Sequence, residues 1–592
     1  MSKAVCLLVA GLAIAAGLPA RAADGGVGGN YILVYYPGAS EGPLALVKLE
    51  DKDGKLVGTI LDGKVIGAKG IKQASQDGKL LHFELEGGTA IRFEGMTGAA
   101  EIPGSIQFGS NVVPAKLIKT TDEELTQARP KRLEVPEFIR ANQEAAKVNQ
   151  LRAKVRREKN AEKKAELRKE VEEAKEKASP EEAKLYREVL QKYADSPVVI
   201  ASCVELLRND KAKPTADEAR KWIETVSAFA AKHGPRLESE TRIQIADALA
   251  GNKDLKDLAL EKAQSVDAKL ANSPATEDRA RAKKILLKAL QTNSKADEAK
   301  AAEADLAKLD KILDTEYLAK VPPFKPQAFA GREQKGDRKV VMELFTGAEC
   351  PPCVAADVAF DALAKSFKPS ELILLQYHLH IPRPDPLTNA DTEARADYYK
   401  IGGTPSTRFN GKTKRELQGG GGMDAAETLY SNYLKVIKPS LEETGEGKLT
   451  LSATQVGDKI NIKAGVSGLK EPGEKRLRLL LVEETIPYVG GNKLRFHHHV
   501  VRDLPGGPDG FELKEGNSQY TASVNLDELR GKINKYLDTY VKENDAEFAS
   551  QRPKLDFKHL KVVGLVQDDK TKEILQVIQA DIAGELTTSA AH

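Results

Sequence analysis

The chain alternates between two hydrophobic periods, and the changes of period divide it. From Asn30 to about Leu117 short apolar runs such as "NYILVYY", "LALVKLE" and "KLLHFEL" are punctuated by Asp53-Gly54 and Asp77-Gly78. Asp-Gly between alternating apolar residues is a hairpin signal, so residues 28–120 read as a small antiparallel β domain. From residue 121 to 319 the period lengthens and Ala, Glu, Lys and Leu dominate. Residues 150–178 place acids and bases three and four apart with few large apolar side chains, the pattern of a solvated helix supported by ion pairs.

Beyond Pro180 amphipathic helices return in short units, among them "ADEARKWIETVSAFAAKHG" and "ATEDRARAKKILLKALQ". They look like stacked hairpins, similar to a tetratricopeptide-type solenoid with an irregular period, and arrays of that kind carry protein partners. Cys203 falls on an apolar helix face as a buried thiol, and Trp222 reads as a core residue between hairpins. Residues 320–337, rich in Pro, Gly and charge, read as a linker. The last third alternates again, from "KLTLSATQVGDKINIKAGV" to "LKVVGLVQDDKTKEILQVIQADI", and predicts a β-sandwich-like domain over 446–585, interrupted by a helix near "LDELRGKINKYLDTYV".

Composition narrows the function classes. With 90 basic against 87 acidic residues, the chain lacks the concentrated positive charge that nucleic acid demands. Its first residues, Met1-Ser2-Lys3 followed by "AVCLLVAGLAIAAGLP" and the small-x-small triplet Ala20-Arg21-Ala22, have the anatomy of a secretory signal over residues 1–22. No later stretch approaches the roughly 18 apolar residues of a membrane span, so the expected destination is extracytoplasmic, periplasmic or secreted, with no transmembrane segment once the signal is removed. Cys6 would leave with that signal. Three cysteines then remain of four, too few for a stapled scaffold.

Two of the three stand together in "GAECPPCVAAD", after the strand-length run "KVVMELF" and at the head of a helical pattern. Pro351 and Pro352 suit a first helical turn, where backbone N–H groups have no intrahelical acceptor to lose. Both sulfurs then sit at a helix N-terminus, where the unpaired N–H groups and the dipole favour a thiolate. Cys350, expected as the more exposed, would be the nucleophile and Cys353 the resolver. Zinc would need two further ligands. His497 and His499, like His378 and His380, have the i, i+2 spacing of two strand ligands, but the pairs fall in different predicted domains, so no metal site and no cofactor beyond the dithiol is expected.

Downstream, "ELILLQYHLH" reads as a second buried strand, "NADTEARADYYK" as an added helix, and "IGGTPSTRFNG" as a Gly-Thr-Pro turn with a hairpin at Asn410-Gly411 before the closing helix. The order strand, Cys-x-x-Cys helix, strand, Gly-Thr-Pro turn, hairpin, helix resembles the thioredoxin-like superfamily over about residues 338–438. That resemblance implies a cis peptide at Pro405 facing the cysteine pair, and a substrate chain pairing with the backbone before it. Thr404 at that point is similar to exported disulfide-bond enzymes. It also implies a thiol–disulfide oxidoreductase acting on protein thiols and disulfides with a redox partner protein. A carboxylate on the first strand is implied as proton acceptor for the resolving thiol; the candidate is Glu343, one residue further from the cysteine than the family pattern, with solvent exposure or an ordinary ion pair as its other reading. Glu349 stands where the family has tryptophan. "GGGG", residues 419–422, reads as a flexible turn. The fold class expected is therefore multidomain α+β: an N-terminal antiparallel β domain, a helical hairpin region, a thioredoxin-like α/β domain with a helical insertion, and a C-terminal β-sandwich-like domain. The alternative function is a non-catalytic extracytoplasmic scaffold with a structural Cys350–Cys353 disulfide.

Overall fold

The computed structural model describes residues 27–584 apart from 88–89, 99–100, 110, 126–129, 159, 471–473, 515–517 and 545–546, so the leader expected over 1–22 lies outside the described residues. The protein is mixed α+β, with twelve helices and two large sheets among the described residues. It divides into two compact units: residues up to Ala146 with Glu176–Ser273 and Arg281–Glu303, and Lys147–Lys175 with Pro274–Ala280 and everything from Ala304 onward. No described helix is long and apolar enough to cross a membrane.

In the first unit β1 (Gly29–Tyr35), β2 (Ser40–Lys52), β3 (Lys55–Asp62), β4 (Gly70–Asp77), β5 (Leu80–Glu86), β6 (Ile91–Met96), β7 (Glu101–Phe108) and β8 (Asn111–Thr120) form an antiparallel sheet in the order β3-β2-β1-β8-β7-β6-β5-β4, with β9 (Lys131–Arg132) pairing β2. The sheet curls until its end strands approach, and a Cβ on Gly58 of β3 would lie 2.6 Å from the Ile71 side chain of β4. Alternate residues, among them Leu33, Leu49, Leu81, Phe83, Phe93 and Leu117, fill the inside.

The helices are α1 (Pro136–Arg157), α2 (Ala161–Lys192, running through Pro180), α3 (Val198–Arg208), α4 (Ala216–Lys232), α5 (Pro235–Ala250), α6 (Lys256–Leu270), α7 (Thr276–Thr292) and α8 (Ala296–Lys320). Three ion pairs, Lys213–Asp254, Arg220–Glu261 and Arg281–Glu240, each join residues 41 apart, a spacing that marks stacked helix pairs. All three are largely surface contacts, so they record the register more than they stabilise it. Trp222 and Cys203 belong to the helical core, and burial pushes the Cys203 thiol up to about 12.

The second unit contains β10 (Val340–Thr346), α9 (Val354–Ser366), β11 (Leu372–His378), α10 (Ala390–Tyr399), β12 (Ser406–Phe409), α11 (Ala426–Leu441), β13 (Lys448–Val456), β14 (Lys459–Ser467), β15 (Lys475–Pro487), β16 (Phe496–Asp503), β17 (Phe511–Glu512), β18 (Ser518–Asn525), α12 (Leu526–Asn544), β19 (Leu560–Asp568) and β20 (Ile574–Ala583). The strand order is β12-β10-β11-β16-β15-β19-β20-β13-β14-β18, with β17 on β15. Within the stretch expected as sandwich-like, 446–585, β13, β14 and β18 share one core with β15 and β19, but these strands are not closed off from the preceding segment. β16 pairs parallel with β11, Gln376 opposite Val500, and carries the sheet of the cysteine-bearing segment into the C-terminal third. The stretch 320–337, expected as a linker, is irregular beyond the end of α8 and is anchored: Phe324 and Phe329 pack on the α9–α11 core, and the Phe329 N–H donates to Ser366 O at 2.8 Å.

β10 is buried on both faces, as parallel central strands are. Val340, Met342 and Leu344 face α9 and α11, whereas Val341 and Phe345 face α10 together with Leu480, Val482 and Val563 of the C-terminal strands. Because Leu480 shares a core with Val341 and Phe345, Leu480→Ala is expected to destabilise the protein by about 2–5 kcal/mol. Chemical denaturation of the reduced protein, followed by the alkylation of Cys350 and Cys353, should show that shift as a lower midpoint.

Candidate functional site

The C-terminal end of β10 runs into a short arm, Gly347–Glu349, that delivers Cys350. Pro351–Cys353 form a single 3₁₀ turn that leads into α9, with Cys353 N donating to Cys350 O at 3.0 Å. Proline at the first two positions loses no helical hydrogen bond there. Cys350 and Cys353 are joined in a disulfide, S–S 2.07 Å. Across from them the Thr404–Pro405 peptide is cis. Thr404 Oγ1 lies 3.4 Å from Cys350 Sγ and Thr404 O lies 4.0 Å from it. The Thr404 hydroxyl gives its proton to Ile381 O at 2.9 Å and so turns a lone pair toward the sulfur. Cys350, Cys353, Thr404 and Pro405, far apart in the chain, are therefore gathered in one place.

Cys350 is not the exposed sulfur expected: both cysteines have 0% exposure, while Pro351 and Pro352 are exposed. Neighbouring backbone closes in from two sides. Asn492 donates from its backbone N to Ala348 O at 3.0 Å and from Nδ2 to Gly347 O at 3.3 Å, and Gly490 packs so tightly on Ala348 O that a Cβ would lie 2.1 Å from it. On the other side "GGGG" is no free turn. Gly421 N donates to Pro352 O at 2.7 Å and Gly421 O accepts the Ala355 N–H, one of the orphan donors of the first turn of α9. A Cβ on Gly420 would lie 2.4 Å from Pro352 O, so glycine is required for that approach.

Glu343 is not among the groups gathered at the cysteines. Odd-numbered residues of β10 face α10, so its carboxylate lies on the sheet face opposite α9. There it pairs with Arg395 at 2.8 Å and accepts from Tyr377 OH at 3.0 Å and Tyr399 OH at 2.7 Å. Arg395 continues to Gln567 Oε1 at 2.8 Å. Of its two readings, the buried ion pair is the one present.

The carboxylates on the cysteine side are on α9 itself. Asp357 sits one turn beyond Cys353, buried, accepting from Thr346 Oγ1 at 2.9 Å and Gln376 Nε2 at 3.3 Å. Burial raises its carboxyl well above the usual range, only partly offset by the Thr346 hydrogen bond, and Asp361 and Asp385 push the same way. Burial likewise raises Asp361 to about 6, against the opposing pull of His498 and Lys365. The legible signal was two acids four residues apart in the otherwise apolar "VAADVAFDALA".

The histidines meet in a way the sequence reading did not anticipate. Pairing of β11 with β16 sets the His378 ring edge-on to His497 with centroids 4.9 Å apart. His378 Nδ1 lies 3.0 Å from Asp385 Oδ2, and His497 Nε2 lies 3.1 Å from Tyr488 O. Burial holds the His497 imidazole down to about 3. Among the described residues no group of three or more His, Cys, Asp or Glu is arranged to hold a metal ion.

No protein-family model matches the chain, and no relative is found among curated proteins. Among solved structures it is similar to HBP35 of Porphyromonas gingivalis, at a TM-score of 0.30 and 13% identity over 44% of this chain and 80% of that one. A likeness that slight carries no argument about fold or activity.

Two predictions follow from the buried carboxylates. Because Asp361 in the folded state keeps its proton to about 6 while the unfolded chain releases it near 3.8, stability contributed by the protonated form is present below pH 3.8 and lost as pH rises through 6. Asp361→Asn should remove that slope and gain on the order of 3 kcal/mol at pH 7, measured by urea denaturation across pH 3.5–7. Arg395→Ala removes the counter-charge of Glu343 in the core, leaving it only the two tyrosine hydroxyls, and should cost roughly 3–5 kcal/mol of stability while leaving the dithiol–glutathione equilibrium constant within twofold of wild type.

Proposed function

We propose that this chain is an exported thiol–disulfide oxidoreductase of the thioredoxin-like type, acting on protein thiols or disulfides through Cys350 and Cys353. The observation that carries the reading is the approach of Thr404, next to a cis Pro405, to within 3.4 Å of a Cys350 sulfur that is joined to Cys353 at the head of α9. Supporting it is the order of elements from Val340 to Leu441: β10, α9 and the parallel β11, the added α10, then β12 antiparallel to β10 and the closing α11.

In the reducing direction the Cys350 thiolate attacks a substrate disulfide; a Cys350–substrate bond forms and one substrate thiolate leaves. Cys353 then gives up its proton and attacks Cys350 sulfur, which releases the second substrate thiolate. The substrate gains two electrons, and the Cys350–Cys353 pair loses them until a dithiol partner protein restores it. The oxidising direction is the same sequence reversed. Asp357, one turn below Cys353 with its carboxyl raised above the usual range by burial, is the nearest counterpart to the carboxylate role implied for Glu343.

A second reading, a non-catalytic extracytoplasmic scaffold whose disulfide is permanent, is favoured by one observation: neither sulfur is exposed. Insulin reduction and oxidative refolding assays separate the two. Wild type is expected to turn over, Cys350→Ser to lose at least about a thousandfold in rate, and Cys353→Ser to accumulate a mixed disulfide with substrate. Absence of turnover in both directions, with a reduction potential below about −300 mV, would establish the scaffold instead.

A further inference from the structure

The segment between β11 and α10, Leu379–Asn389, is tied to both sides of Cys350, and one buried carboxylate makes most of the ties. Asp385 has 0% exposure. Its Oδ2 accepts the Ala348 N–H at 2.5 Å, from the arm two residues before Cys350, and lies 3.0 Å from His378 Nδ1. Its Oδ1 accepts the Leu387 N–H at 2.7 Å. Its own N–H donates to His380 Nδ1 at 3.0 Å, and its carbonyl accepts Tyr536 OH at 2.6 Å. The same segment supplies Ile381 O, the acceptor for the Thr404 hydroxyl. Gly347 closes the fit: a Cβ there would meet Asp385 Oδ2, Ile381 O and Leu379 O, each at 3.2 Å.

His378 Nε2 is buried with no hydrogen-bond partner among the described residues, so Nδ1–H donating to Asp385 is the arrangement that strands no buried donor. Burial would lift the Asp385 carboxyl, but His378 and the Leu387 N–H outweigh it and hold the group below its ordinary range. A fixed negative charge therefore stands under the arm that carries Cys350. The titratable groups that share its surroundings are His378, His497, His380, Asp357, Glu349, Tyr488 and Tyr540.

We propose that Asp385 is the positioning residue of the dithiol: it fixes the Ala348 arm and, through the segment bearing Ile381, the Thr404 wall, and so sets both the geometry and the electrostatics in which Cys350 reacts. This rests on the redox reading of the site. The anion opposes the Cys350 thiolate, so its removal stabilises the reduced pair.

The test is the equilibrium constant of the Cys350–Cys353 pair with glutathione at pH 7, together with the iodoacetamide rate of the reduced protein. Asp385→Asn is expected to shift the constant at least about threefold toward the dithiol and to raise the alkylation rate at pH 7, whereas Asp385→Glu, which keeps the charge, stays nearer wild type. A merely structural role would lower the melting temperature and leave both readouts in place. Gly347→Ala, which keeps the carboxylate but presses on it, should lower kcat for a protein disulfide at least about threefold with little change in KM, and it carries the test if Asp385→Asn does not fold. Folded variants with wild-type constants in all of these measurements would overturn the proposal. Wild-type protein without turnover would overturn the redox reading, while the glutathione constant would still decide the role of Asp385.

Discussion

The parallel pairing of β11 with β16 is the constraint on which the second unit depends. A strand placed beside β11 leaves the sheet no edge at that point, and its own apolar side chains must find partners on both faces. They find them in Val341, Phe345 and Tyr377, which is why Leu480, Val482, Val501 and Val563 share a core with the strand that carries the cysteine arm. The C-terminal third is consequently part of the scaffold of the site.

The same pairing decides the chemistry around the arm. It brings the turn between β15 and β16 to the backbone of Gly347 and Ala348, and it brings His497 to His378. Backbone and imidazole groups taken out of water at the end of a sheet have to be satisfied internally. Asp385, Asn492 and the Gly421 backbone meet that demand except at His378 Nε2, and the result is a disulfide enclosed by hydrogen-bonded backbone on two sides. Charge is segregated by the sheet itself: the Glu343–Arg395 pair is confined to one face, and Asp357 and Asp361 to the other. Alternation along β10 is enough to separate them, since adjacent residues of a strand point to opposite faces.

Much of this was legible locally. Hairpin signals at Asp53-Gly54 and Asp77-Gly78 mark turns that carry positive φ, as that chemistry requires. The apolar run ending at Phe345, the Pro-Pro turn and the Thr404-Pro405 turn are short-range features, and each lies in the element its residues suggested. Which of its two readings Glu343 would take depended on the face it occupies, and that is set by its partner Arg395 on α10, fifty-two residues away. The anchoring of the linker over 320–337 was not legible, because Pro, Gly and charge outnumber the two phenylalanines that hold it down.

The sequence by itself determined the elements and the local turn chemistry: hydrophobic period, proline at a helix start and glycine at tight turns act over a few residues and need no partner to be read. Only the tertiary structure decided that β16 continues the sheet of β10 and β11, that Cys350 is buried, that Asp385 reaches the Ala348 N–H, and that Gly420 must lack a side chain. Those outcomes depend on which groups meet after the chain closes over long separations, and a buried polar group is selected by the partner it finds there, which no local pattern encodes.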